Sequence, residues 1–170
     1  MINQEMTVHS NDDFDIIPPP SEVAFEKLSQ REKRSLLFHF LYAVESFDYQ
    51  ISLEAIVDNF NRGFNLNVPL ESDIVRMAHS VIEEREALDL LYQPLLSNWR
   101  FDRLGVCTKL ILRLAVWELV HTKTEPIIII NEAIELAKSF AEKDAYKFIN
   151  GVLDKALTLF RNNIAPENIA

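Results

Sequence analysis

From Ile127 to Ala156 the apolar residues return at intervals of three and four, interrupted by one tight joint at 141–144. Ile130, Ala133, Ile134, Ala137 and Phe140 make one stripe, and Phe148, Val152, Leu153, Ala156, Leu159 and Phe160 make the next. A period near 3.6 gives each segment a single apolar face, so the pair reads as two helices lying side by side. Ile127 to Ile130 alone would also suit a buried strand, but the continuing spacing assigns the run to the helix. Only three glycines occur, Gly63, Gly105 and Gly151. That scarcity argues against hairpins, whose tight turns use positive φ, and for helices joined by short links.

The upstream sequence repeats the pattern. Ser29 and Glu32 have the S-x-x-E spacing of a capping box, followed by Leu36, Leu37, Phe40, Leu41 and Val44 on one helical face. Val23, Phe25 and Leu28 allow an earlier start near Ser21. Ser52 caps a second helix with Leu53, Ile56, Val57 and Phe60 inward, and Gly63 is placed to end it. Pro69-Leu70-Glu71-Ser72 opens a third, carrying Ile74, Ala78, Val81, Ile82, Leu88 and Leu91. Pro94 interrupts, and Leu95, Leu96 and Trp99 begin a short helical piece. Val106 to Leu119 is apolar on most sides, with Lys109, Arg113 and Glu118 as charged exceptions, as expected of a central helix packed by several neighbours. No strand has a partner strand, so the fold class is all-α.

Charge divides the chain. Residues 1–30 hold six acids and one base, and so carry −5 of the total of −9. Residues 1–20, closed by Pro18-Pro19-Pro20, read as a disordered acidic extension, 21–163 as the helical domain and 164–170 as a frayed tail. The lone Cys107 excludes an internal disulfide and suits a small buried side chain in a reducing cytosol. The first thirty residues lack the basic start and apolar core of a secretory signal, and no apolar run is long enough for a bilayer, so a cytoplasmic protein without a membrane partner is expected. His9, His39, His79 and His121 are isolated from one another and from Cys107, which gives no metal-ligand spacing. The glycines form no phosphate cradle, and Glu83-Glu84 and Glu132/Glu135 read as solvated helix faces. A protein without metal, cofactor or catalytic set is therefore expected, and not an enzyme.

Two basic clusters stand against the acidic background. Arg31, Lys33 and Arg34 open the first helix, with Glu32 interrupting them, and Lys143, Asp144, Lys147 and Phe148 open the last. Cations beside an aromatic ring at a helix start suit single-stranded RNA, with lysine and arginine on phosphate and the ring on a base. The alternative is a solvated surface with Phe148 in the core. The RNA reading requires the two clusters to meet in space.

Three blocks carry a family resemblance. Asn131 to Phe140 with Tyr146 to Lys155 (NEAIELAKSF and YKFINGVLDK), Ile111 to Leu119 (ILRLAVWEL), and Arg31 to Tyr42 together resemble the NusB family of bacterial transcription factors, from Arg31 to Lys155. The resemblance implies a compact domain of about seven helices in two small bundles packed through the central helix. It implies antitermination: binding of boxA-type RNA in rRNA leader transcripts together with NusE, a small-subunit ribosomal protein, within the RNA polymerase antitermination complex. By position it places RNA contacts at Arg31, Lys33, Arg34, Lys143, Asp144, Lys147 and Phe148, and NusE contacts at Thr108 and Lys109. Thr108 stands where the family usually has an acid, and the acidic extension stands where its N-terminus is usually short and basic; folded back, that extension would compete for the basic site. Two other classes fit the same helices: an interaction module or homodimer with masked RNA binding, and a detached RNA-binding domain of an rRNA cytosine methyltransferase.

Overall fold

A computed structural model describes residues 25–164, with side chains as far as Phe160. The acidic extension expected over 1–20 and the tail beyond Ile164 lie outside the described residues. The described chain begins in a short 3-10 turn, Phe25–Lys27, where the Phe25 N–H donates to the Leu66 carbonyl at 3.1 Å. Helix α1 then runs Gln30–Ser46, after the expected capping box, and not from Ser21. Six helices follow: α2 Leu53–Phe64, α3 Asp73–Glu83, α4 Arg85–Tyr92, α5 Val106–His121, α6 Pro126–Phe140 and α7 Ala145–Ile164. Among the described residues there is no strand. The fold is all-α, as read from the periodicity.

The helices group as α1–α3 and α4–α7, and α5 touches members of both sets. Its central position follows from its sequence. Leu110, Ile111, Leu112, Leu114, Ala115 and Val116 are all buried, so every side of the helix meets a neighbour. A single apolar core runs from Phe25 to Leu153.

Three boundaries differ from the sequence reading, each for a local reason. Gly63 does not end α2; the helix continues through Phe64, and Asn65 takes the left-handed conformation at φ 53°. Asparagine tolerates that region better than other side chains with a Cβ. The expected long third helix is broken at Glu84, so Leu88 and Leu91 belong to α4. The Glu84 carboxylate accepts hydrogen bonds from Ser80 Oγ at 2.8 Å and Trp117 Nε1 at 3.3 Å, and lies 2.8 Å from His121 Nε2. These contacts tie the break to α5. In place of a short helix beginning after Pro94 there are two 3-10 turns, Gln93–Leu95, which contains Pro94, and Phe101–Arg103, and Trp99 is exposed between them.

Two of the three charged exceptions in the central helix are buried. Arg113 donates from Nε and Nη2 to both oxygens of Asp89 (2.7 and 2.8 Å) and from Nη1 to Glu45 Oε2 (2.8 Å) and the Tyr49 hydroxyl (3.1 Å). The Tyr92 hydroxyl donates to Asp89 at 2.9 Å, and the Tyr49 hydroxyl to Glu45. One guanidinium therefore fastens α5 to α4 and to the end of α1. Burial and the Glu45 hydrogen bond push Tyr49 up to about 12, so it stays protonated and keeps its donor.

Candidate nucleic-acid interface

The start of α1 splits its basic residues between two faces. Residues three apart share a helical face, and the residue two along points away. Arg31 and Arg34 accordingly meet α6 and α5, while Lys33 turns aside, its Nζ 4.8 Å above the Phe25 ring. Arg31 is exposed and donates to Glu132 Oε1 at 3.0 Å. Arg34 is mostly covered; its Nε and Nη2 donate to the two oxygens of Glu118 at 3.1 and 2.7 Å, and its Nη1 lies 3.7 Å from Glu132. Burial works against the charged guanidinium, but Glu118 and Glu132 outweigh it and hold Arg34 above its ordinary value. Glu32 leaves the basic surface alone, because its carboxylate turns back to accept the Ser29 N–H at 2.7 Å. That hydrogen bonding to Ser29 holds Glu32 below the usual carboxylate range.

The start of α7 is organised by the joint after α6. The Ala145 N–H donates to the Glu142 carbonyl at 3.0 Å, and Asp144 sits at φ 66°. An N-cap residue ordinarily has extended backbone, which Asp144, directly before α7, does not have. Its carboxylate lies 3.0 Å from Lys147 Nζ and holds that ammonium above its ordinary value. The Lys138 and Lys147 ammonium groups lie 5.6 and 5.7 Å from the Tyr146 ring. Phe148 is half-buried, with its ring 5.3 Å from that of Trp99. The rings border a cleft of about 370 Å³, also lined by Arg103, Lys143 and Glu142.

Thr108 and Lys109 lie beside this cleft. Thr108 is buried, and its hydroxyl donates to Glu142 Oε2 at 3.0 Å. Lys109 is half-buried with Nζ 4.6 Å over the Phe101 ring. Gly105 has no positive φ; its constraint is space, because a Cβ there would fall 1.5 Å from Glu142 Oε1.

The two basic clusters stand at opposite ends of α5. One is fixed to Glu118 and the other adjoins Thr108, ten residues and about 15 Å apart along the axis. Among the described residues no hydrogen bond or ion pair joins them directly. The single contiguous positive patch expected from sequence is therefore replaced by a strip along α6. It runs from Arg31 and Glu132, through Glu135 paired with Lys138 at 3.0 Å, to Tyr146 and Lys147. Sequence reasoning missed Trp99, Arg103 and Glu142 as neighbours of Phe148, and Glu118 and Glu132 as partners of the arginines. The only signal for Trp99 was an aromatic set among polar residues in Ser97-Asn98-Trp99-Arg100.

Residues 31–158 match the NusB family. A transcription antitermination protein NusB from Staphylococcus haemolyticus is 36% identical over 127 residues, covering 74% of this chain and 97% of that protein. Its counterpart in Staphylococcus carnosus is 35% identical over the same length, with the same coverage. The structure of Thermotoga maritima NusB superposes with a TM-score of 0.67 at 31% identity, covering 77% of this chain and 92% of that one. With the helical architecture, the three sequence blocks and these likenesses in agreement, the chain belongs to the NusB family.

Proposed function

We propose that this protein is a transcription antitermination factor that binds boxA-type single-stranded RNA of rRNA leader transcripts together with NusE, and through that pair joins the RNA polymerase antitermination complex. The relatives that carry the antitermination name match it across nearly their whole length. The observation that carries the RNA half is the start of α7, where exposed Lys143 lines the same cleft as the half-buried Phe148 ring and exposed Lys147 precedes that ring in the helix. Cations there meet phosphate and the ring meets a base, in a protein whose net charge of −9 gives no general attraction to nucleic acid. The two clusters do not meet, so in this reading the RNA strand lies along the α6 strip that joins them, with Arg31 and Lys33 on phosphate at one end and Lys147 at the other; Asp144 sets the position of Lys147, and Arg34 sets the position of α1. Lys109 and the Glu142 carboxylate, held by Thr108, form the surface offered to NusE.

A titration of boxA-type RNA, with and without NusE and at several salt concentrations, tests this. The expected result is sequence-selective binding that tightens when NusE is added. Lys147→Ala should weaken binding evenly across sequences and reduce the salt slope by about one. Absence of RNA binding in both arms overturns the reading.

A further inference from the structure

We propose that Trp99 is a second stacking residue of the RNA site, and that the cleft between it and the start of α7 takes one unstacked nucleobase. The inference rests on the RNA reading above and extends it to a segment outside the two basic clusters.

Trp99 is 59% exposed, which is unusual for a side chain with so much apolar area to bury. It is nevertheless held in place. Its backbone N–H donates to the Leu96 carbonyl at 3.1 Å, and the next residue, Arg100, is clamped to both oxygens of Asp102 at 3.0 and 2.6 Å. The ring meets Phe148 at 5.3 Å with a 54° tilt, so the pair forms an angled aromatic wall and not a closed stack. Buried Leu104 and the Thr108–Glu142 hydrogen bond back the cleft. At about 370 Å³ it falls within the roughly 300–1,000 Å³ typical of small-ligand sites.

The rim supplies the charge a nucleotide requires. Arg103 and Lys143 are exposed, and among the described residues neither makes an ion pair, whereas Arg100, Arg31 and Arg34 all do. Lys147 lies one turn further along α7. A base entering the cleft lies against the Trp99 ring, with its flanking phosphates over Arg103 and Lys143. Every base has a π-face, so this stacking contributes affinity without reading sequence.

The experiment is a titration of the full chain with a boxA-type RNA, read by tryptophan fluorescence and by filter binding. Trp117, the other tryptophan, is hydrogen-bonded to Ser80 near the far end of α5 and gives a constant background. RNA should quench the wild-type signal, and the quench should vanish in Trp99→Phe while affinity stays within a few-fold. Trp99→Ala should weaken binding about 5- to 150-fold, the equivalent of about 1–3 kcal/mol for one stacked base. Its salt slope should be unchanged, unlike that of Lys147→Ala. Wild-type binding with no quench and with Trp99→Ala affinity intact overturns this inference and leaves the RNA reading standing. Failure of the wild type to bind overturns both. Should Trp99→Ala fail to fold, the quench and its loss in Trp99→Phe decide the matter.

Discussion

Arg113 and Lys143 are both cations close to α5, in opposite settings. Arg113 is 6% exposed and touches two carboxylates and a tyrosine hydroxyl, whereas Lys143 is exposed and makes no ion pair among the described residues. A buried charge is tolerated only when it is paired and hydrogen-bonded, so the Arg113 network constrains where α1, α4 and α5 can lie. An exposed, unpaired charge stabilises the fold little and remains available to a ligand. In the proposed reading the middle of α5 maintains the fold and its N-terminal end meets the ligand, and substitutions can separate the two.

The largest effect is expected at Arg113. Arg113→Ala leaves Asp89 and Glu45 without their shared partner and should cost about 3–5 kcal/mol in denaturant unfolding. If the comparison holds, protein that still folds at low temperature keeps its RNA affinity. A small stability loss with a large affinity loss would reverse the two assignments.

Arg34 lies between these extremes, since position in the sequence groups it with the RNA residues and its contacts group it with Arg113. Arg34→Ala strips both oxygens of the buried Glu118 of a charged donor and should cost about 1–3 kcal/mol. A double-mutant cycle with Glu118→Gln should show coupling of the same order, and the salt slope of RNA binding should change less than for Lys147→Ala. An unchanged melting point with a salt slope reduced by about one would return Arg34 to the ligand-binding group.

These assignments show what could be read in one dimension. The helices were legible because apolar spacing reports burial directly, and the Ser29–Glu32 cap because its partners are three residues apart. Gly63 misled because glycine is the commoner left-handed stop, while Asn65, two residues later, also tolerates that conformation. The break at Glu84 was illegible because Trp117 and His121, which meet its carboxylate, lie in a different helix. Arg113 and Glu118 read only as charged exceptions in the central helix, because a charged residue's spacing does not reveal a partner far along the chain. The cleft was hidden for the same reason, since Trp99 and Phe148 lie far apart in sequence and become neighbours where the segment after the Gln93–Leu95 turn packs on α7.

Acid should weaken the Arg113 network through Glu45. Burial pushes Glu45 up, but hydrogen bonds from Tyr49 and Arg113 outweigh it and hold the carboxyl below its ordinary value of 4.5. The folded protein therefore binds this proton less tightly than the unfolded chain does. The resulting stability is fully present above about pH 4.5 and is lost as the pH falls through the lower folded value. Glu45→Gln should be less stable than wild type near neutrality and should show a flatter decline in acid. Parallel curves for the two proteins would remove Glu45 from the network.

The smallest and most local test is Gly105→Ala, at the N-cap of α5 beside the cleft. The backbone there, φ −61° and ψ 150°, suits alanine, so the obstacle is the Glu142 carboxylate, which a Cβ would meet at 1.5 Å. A flexible carboxylate can swing aside, and in doing so it gives up the Thr108 hydroxyl. Replacing glycine at an N-cap costs about 1 kcal/mol, the stiffer unfolded chain offsets about 0.4–1 kcal/mol, and the lost hydrogen bond contributes about 0.5–1.5 kcal/mol. The net destabilisation should be about 1 kcal/mol, well below that of Arg113→Ala. Moving a negative charge away from Arg103 and Lys143 should also tighten RNA binding at low salt, and the gain should fade as salt screens it. A variant as damaged as Arg113→Ala would mean that Glu142 cannot move, and the N-terminal end of α5 would then belong with the fold-maintaining network and not with the ligand surface.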